Sequence, residues 1–461
     1  MLYDAEDTIA AIATPPGVGG VGIVRVSGPL AEEITRRLFR PKKTIQTLSS
    51  HHFYYGHIVH PETGEIVDEV MVVFMRAPHS YTCEDVLEIH CHGGPLVLRQ
   101  VLELVLKTGA RLAEPGEFTK RAFLHGRLDL TQAEAVLQVI EARTEKELQI
   151  ATKQLSGYLG EEIKKIRDCL KKFKAHLEVA IDFPEEDVEI VPPETWLPRI
   201  EKEVIKPIKQ LLDSYRRGRV LREGALMAIV GKPNVGKSSL LNRLLREERA
   251  IVTPIPGTTR DVIEEVLNIK GIPVKIADTA GLRKTTDTIE AIGVERARQK
   301  IAEADIALWV VDASRPLDEE DMEIYQEIKE KNTILVLNKC DLPLKIEEKV
   351  LSDKFKNLPQ VHISALYGEG IEKLETLISD CLLGKEATEG VSFVPALRHK
   401  QALEKAYQAV NRVKEAISNQ LPPVFISVDV QETLDALGEI VGETTPEDVL
   451  DYIFNQFCIG K

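Results

Sequence analysis

The stretch "GKPNVGKSS", residues 231–239, sets glycines, a lysine and a hydroxyl at the spacing of a phosphate cradle. Glycines let backbone amides close around phosphate oxygens, Lys237 supplies a positive point charge, and the Ser238 hydroxyl can ligate Mg²⁺. Four further elements follow in order. "PGTTRD" offers Thr259 as a second Mg²⁺ ligand, and "DTAG" puts Asp278 near the metal and Gly281 near the γ-phosphate. "NKCD" brings Asn338 and Asp341 to a base, with Ser364 and Ala365 of "ISAL" beside it. A carboxylate at 341 accepts from the ring N–H and exocyclic amine of guanine, a donor pair that adenine lacks. A glycine-rich turn is the bland reading of the first element alone, but the ordered set predicts a GTP site.

The expected nucleotide contacts are Asn234, Val235, Gly236, Lys237, Ser238 and Ser239 in the cradle, then Thr253, Pro254, Ile255, Pro256, Gly257, Thr258 and Thr259. Asp278, Thr279, Ala280 and Gly281 follow at the phosphate end, and Asn338, Lys339, Asp341, Ser364 and Ala365 at the base. Many small GTPases carry Gln directly after the DxxG element to orient the attacking water. Leu282 stands there in this chain and cannot hydrogen-bond, so hydrolysis is assisted in another way or is very slow.

Two cysteine-bearing stretches also ask for a reading. Cys458, in the terminal "FCIGK", has the outline of a prenylation box, but Lys461 fits none of its usual endings and no polybasic run supports it. A small buried residue and a reactive thiol remain open for it. Cys83, His90, Cys91 and His92 lie close together, yet "LEIHCHGG" reads as a strand that puts His90 and His92 on one face and Cys91 on the other. No paired CxxC spacing backs a zinc site.

The elements that position these residues fall into three territories, as 461 residues are too many for one ordinary core. Up to Phe118, β-branched runs such as "VGIVRVSG" and an apolar helix in "PLVLRQVLELVLKTGA" predict a small α+β domain. From Leu130 the period becomes helical. Thr131 with Glu134 reads as a capping box, and Ile140, Leu148, Leu155, Leu159, Ile163, Ile166, Leu170, Phe173 and Leu177 form an apolar stripe interrupted near "SGYLG". A further helix follows Ile200, to about Tyr215. The stripe returns at Leu403, Ala406, Val410, Val413 and Ile417, and a last helix is announced by Thr445 as N-cap and Pro446 at its first position. Between the helical blocks, "ALMAIVG", "VKIADTAG", "IALWVVDAS" and "TILVLNKCD" alternate with amphipathic stretches, the pattern of a parallel sheet covered on both faces. The expected division is 1–118, 119–216, 217–383 and 384–461, with the Ras-like P-loop domain inserted into one helical domain.

Charge and cysteine usage narrow the partners. There are 59 Lys and Arg against 73 Asp and Glu, net −14, which disfavours a general nucleic-acid binder and leaves only local RNA contact. Six scattered cysteines fit reduced thiols in a cytoplasmic protein. The opening "MLYDAEDTIAAIATPPGVGG" is not built as a signal peptide, and no apolar run reaches membrane-spanning length.

Beyond the G motifs, the chain resembles the MnmE (TrmE) tRNA-modification GTPases in "GGVGIVRVSG", "TCEDVLEIHCHGG", "PGEFTKRAFLHGRLDL", "AIDFPEED" and the terminal "FCIGK". The resemblance implies a cytoplasmic homodimer whose N-terminal domain dimerises and binds a tetrahydrofolate. It also implies a flavoprotein partner, MnmG, which carries FAD. Together the two install an aminomethyl-type group at C5 of the wobble uridine of certain tRNAs. In this family K⁺ replaces an arginine finger as two G domains close face to face; the matching positions are Asn234, Thr253, Ile255 and Thr258. Glu290 matches the water-orienting glutamate. Arg25, Glu88, Arg127 and Lys461 match the folate site, although relatives often carry Lys where Arg127 stands. Cys458 is expected to fold back toward that site and join the modification chemistry. The rival is a regulatory or ribosome-assembly GTPase, which shares the G motifs but has no need of "FCIGK" or the N-terminal blocks.

Overall fold

The structure is a computed structural model that describes residues 7–43, 47–142, 144–183, 192–247, 266–277, 303–346, 351, 354–356, 358–383 and 396–461. It contains two sheets and a helical bundle. In the N-terminal part, β1 (Ile9–Ile12), β2 (Val21–Ser27), β3 (Phe39–Pro41), β4 (Phe53–Val59), β5 (Ile66–Met75), β6 (Val86–His92) and β7 (Arg111–Leu112) pair in the order β3-β4-β5-β6-β2-β1-β7. Pairing is antiparallel except between β1 and β7. Alternation decides the faces: Val24, Val26, Val70, Val72, Phe74, Leu87 and Ile89 point into one core with Ile34 and Leu38 of helix Ala31–Leu38 and Val101 and Val105 of helix Pro95–Lys107. The opposite face leaves Val21, Phe53, Tyr55 and Met71 exposed. Cys91 is buried and His90 belongs to the other face, as the strand reading of "LEIHCHGG" requires.

The helical blocks do meet. Leu159, Ile163, Ile166, Leu170, Phe173 and Leu177 of helix Tyr158–Asp182 share one core with Leu403, Ala406, Val410, Val413 and Ile417 of helix Leu397–Ser418 and Val430 and Leu437 of helix Pro423–Val441. The α/β segment is thus inserted between halves of a single bundle. Its strands are β8 (Ala225–Val230), β9 (Val266–Ile269), β10 (Ile272–Ala277), β11 (Ile306–Asp312), β12 (Thr333–Asn338) and β13 (Gln360–His362), in the order β13-β12-β11-β8-β10-β9. All pairs are parallel but β9–β10, an antiparallel edge hairpin that the parallel reading lacked.

Several local expectations are corrected. Helix Leu130–Glu141 is capped by Asp129, whose side chain accepts from the Gln132 amide while the Gln132 side chain returns to the Asp129 amide. Asp and Gln form the same reciprocal box as Thr and Glu, and Thr131 lies inside the helix with its hydroxyl on Asp129. The last helix, Glu447–Phe454, has Pro446 rather than Thr445 as N-cap; the Thr445 hydroxyl donates instead to the Glu439 carbonyl. The helix after Ile200 passes through a π-helical stretch, Glu201–Ile205, and runs as Lys206–Glu223, well beyond Tyr215. Ile140 and Leu148 keep the spacing of the stripe but are 45% and 44% exposed. Helix Glu145–Leu155 buries Ile150 instead, in the core of the inserted sheet, and the Thr144 hydroxyl donates to the Gly271 carbonyl of the β9–β10 turn. The break in "SGYLG" is real: Gly157 stands at φ +92° between two helices. Among the described residues no helix is long and apolar enough to cross a membrane.

Candidate functional site

The nucleotide cradle forms where β8 ends and helix Lys237–Glu247 begins. The apolar run of β8 buries Met227, Ala228 and Val230 fully, fixing the strand from which the loop departs. Asn234 adopts φ +64°, and Gly236 stands at φ +102° with no room for a Cβ, because the Asn338 amide occupies that position. Lys237 donates from Nζ to the carbonyls of Gly231 (2.5 Å) and Lys232 (2.6 Å), and burial holds its pKa below the usual lysine value. The cationic head is therefore within the loop, where phosphate oxygens would meet it.

The base end is built by side chains that hold the loops to one another. Asn338 donates to the Val235 carbonyl at 2.7 Å and accepts from the Ala365 amide at 3.0 Å, tying the cradle, β12 and "ISAL" together. Ser364 donates to Asp341 Oδ1 at 2.6 Å, which orients that carboxylate. Lys339 sits at φ +66° and gives its ammonium to Asp312 at 2.6 Å, an anchor not foreseen from the sequence. Thr253, Pro254, Ile255, Pro256, Gly257, Thr258, Thr259, Asp278, Thr279, Ala280, Gly281 and Glu290 lie outside the described residues, as does Leu282.

A second cluster forms on the open face of the N-terminal sheet. Arg25 and Glu88 are direct partners across β2 and β6, and Arg25 Nε donates to Glu88 Oε1 at 2.8 Å. The His90 side chain beside Glu88 is the main influence holding that carboxyl below its usual range; burial opposes it and Arg25 reinforces it. The chain's last residues reach this pair. Ile453, Phe454 and Phe457 are buried against Leu130 and Ala133, which anchors the end of the chain. Ile459 then bridges to Pro115, and Arg25 Nη1 donates to the Gly460 carbonyl at 3.2 Å. Gly460 has φ +96° and lies so close to Ile12 that a Cβ would fall 2.5 Å from its carbonyl oxygen. Cys458 is exposed beside the tail, and its carbonyl accepts from the Lys461 amide at 3.3 Å. Burial, and then the Arg25 charge, lower the Lys461 pKa, while Glu88 and Cys458 push the other way.

Arg127 is not in contact with Glu88. It lies across Tyr81, whose ring faces Arg25 at 5.8 Å and Arg127 at 5.1 Å from the guanidinium carbons. Tyr81 OH pairs with the Thr119 hydroxyl at 3.0 Å. Nothing local in "HSYTCED" marks this tyrosine, because both cations come from distant segments. Among the described residues no group of three or more His, Cys, Asp or Glu side chains is arranged to hold a metal.

The carboxylate, cations and thiol gathered at the tail, and the separate G site, are accompanied by likeness to known proteins along the whole chain. Residues 8–127 match the family described as GTP-binding protein TrmE N-terminus, and residues 130–458 match the MnmE helical domain. The tRNA modification GTPase MnmE of Carboxydothermus hydrogenoformans is 51% identical over 99% of this chain and 100% of that one. Those of Natranaerobius thermophilus and Clostridioides difficile are 48% and 49% identical, each over 99% of this chain. A solved structure of Aquifex aeolicus Era bound to GDP and AlF4⁻ is 34% identical over 40% of this chain and 66% of its own, with a TM-score of 0.28. The full-length relatives and the helical-domain match decide the assignment: this chain is a GTPase and belongs to the MnmE family of tRNA modification GTPases.

Proposed function

We propose that this chain works with MnmG to modify C5 of the wobble uridine, position 34, of certain tRNAs with a carboxymethylaminomethyl or aminomethyl group. The observation that carries the reading is the Arg25–Gly460 contact, which brings the thiol-bearing tail to the Arg25–Glu88 pair. A tetrahydrofolate bound there would supply the one-carbon unit. The residues suit such a ligand: Glu88 is held as a carboxylate that can accept from pterin N–H groups, with Arg25 and Lys461 beside it, and Arg127, across Tyr81, suits its glutamate.

In the G domain, Lys237 and Ser238 would hold GTP phosphates and Mg²⁺ with Thr259, and Asn234, Thr253, Ile255 and Thr258 would hold K⁺. Glu290 would orient the attacking water. The N-terminal domain would make the constitutive homodimer through its open sheet face, where Val21, Phe53 and Met71 are exposed at 60%, 54% and 46%. MnmG, bearing FAD, would complete a heterotetramer in the cytoplasm.

The test combines the full chain, MnmG, tRNA, GTP and a tetrahydrofolate, in K⁺ or Na⁺ buffer of equal ionic strength. Uridine modification that needs both proteins, with hydrolysis strongly faster in K⁺, is expected. Equal hydrolysis rates in the two salts would remove the cation mechanism, and GTP turnover with no modification would return the chain to the regulatory class.

A further inference from the structure

Beyond Tyr81 a cavity of about 560 Å³ opens, and among the described residues no carboxylate is part of its lining. Its walls carry His51, His79, His125 and Arg127, together with Tyr81 and Cys83. In a chain of net charge −14 this absence of acids sets the sign of ligand the cavity can take. Arg127 donates one N–H to the Ser80 carbonyl at 2.8 Å; among the described residues no other protein acceptor takes its remaining guanidinium hydrogens. His125 Nδ1 donates to the Thr82 carbonyl at 2.6 Å, which fixes the orientation of the ring.

We infer that this cavity binds the oligoanionic tail of a folate extended by γ-linked glutamates. The inference rests on the folate reading above and adds a substrate class to it. Tyr81 faces both Arg25 and Arg127, so a ligand head at the Arg25–Glu88 pair lies one aromatic ring away from the cavity. A folate bearing a single glutamate brings its carboxylates to Arg127; each added γ-glutamyl unit brings another carboxylate toward the histidines. The volume lies within the range of small-ligand sites. An RNA backbone is a poorer occupant, because phosphate tracking needs a run of Lys and Arg, whereas three of the four basic side chains here are imidazoles.

The experiment is calorimetric titration of the full chain with 5-formyltetrahydrofolate as the monoglutamate and as the γ-triglutamate. The triglutamate is expected to bind about fivefold to tenfold more tightly. In a His51→Ala, His79→Ala double variant the two ligands should converge, with the monoglutamate Kd unchanged and thermal melting confirming the fold. Equal affinity in the unaltered chain overturns the inference and leaves the folate reading standing. A triglutamate preference that survives the double substitution also overturns it. So does a loss of tRNA affinity in that variant with the folate preference intact, which would give the cavity to RNA. If the monoglutamate itself does not bind, the folate reading fails and this inference falls with it.

Discussion

Arg25 donates to the carbonyl of Gly460 at 3.2 Å, joining the second strand of the chain to its penultimate residue. The same guanidinium holds Glu88 through Nε. Arg25→Ala should therefore remove two contacts at once. Tetrahydrofolate affinity should fall about tenfold or more, the scale of lost hydrogen bonds to charged groups, while GTP hydrolysis stays within about twofold. Arg25→Lys should be intermediate, keeping the charge but losing the fork. Folate titration beside a GTPase assay reads both, and equal losses in the two would mean that Arg25 supports the whole fold instead.

Cys458→Ser should abolish tRNA modification in the presence of MnmG and leave K⁺-stimulated hydrolysis near the level of the unaltered chain. Cys458 is exposed, and the buried anchors of the tail, Phe454 and Phe457, are untouched by the change. Modification assays on purified tRNA decide it. Normal modification by the variant would leave the thiol without a chemical role.

At the base end, Ser364 orients Asp341 with a 2.6 Å hydrogen bond. Ser364→Ala should weaken GTP binding about fivefold, the size of one ordinary hydrogen bond. Asp341→Asn turns half of the acceptor pair into a donor, so xanthine nucleotides should gain on guanine nucleotides. Competition titrations with the two nucleotides measure the exchange of preference; an unchanged order would place the base elsewhere.

Glu134 joins the helical halves. Its side chain, 13% exposed, meets Arg398 Nε at 3.1 Å and His399 Nε2 at 2.7 Å, and the Ala396 amide donates to the other ring nitrogen of His399. Burial alone would raise this carboxyl, but the hydrogen bond from His399 Nε2 and the charge of Arg398 outweigh it and hold the pKa well below the 4.5 of a free glutamate. The depressed value means that the stabilisation is full above about pH 4.5 and is lost as the pH falls through the lowered pKa. Glu134→Gln should cost about 3 kcal/mol at pH 7, the scale of a broken buried ion pair, and should flatten the acid limb of stability over that window. Urea melts from pH 7 down to pH 3 would show it; parallel curves for the two proteins would contradict it.

The two sites differed in how far they could be read in advance. The cradle and its neighbouring loops are local motifs, so "GKPNVGKSS", "NKCD" and "ISAL" are legible as a set, while the hydrogen bonds of Asn338 and Ser364 that join them appear only in the fold. The tail cluster needs residues 25, 88 and 461 to converge through tertiary packing, and composition alone is silent on that; family resemblance supplied it. Tyr81 and Asp312 were invisible for the same reason, each being defined by partners far away in the chain. Helix periodicity succeeded wherever a stripe faced one partner. It failed at Ile140 and Leu148, where helix Leu130–Glu141 uses Leu130 and Ala133 toward the tail and the next helix turns Ile150 toward the inserted sheet. The cap at Asp129 was missed because two overlapping boxes, one from Thr131 and one from Asp129, fit the same stretch.

Ile150 has a mechanical consequence. It is a bundle-side residue seated in the inserted sheet's own core, with Thr144 fastened to the Gly271 carbonyl nearby. Gln132 and Gln154 link its helix to the neighbouring one through the Leu155 and Thr131 carbonyls, and that neighbour packs on Phe454 and Phe457. The inserted sheet and the Cys458 tail are thus mounted on one bracket. A G domain that swings while gripping Ile150 must drag the bracket with it. One that swings free must strip an isoleucine into water, a toll of roughly 1.5–3 kcal/mol that sets a threshold for the motion.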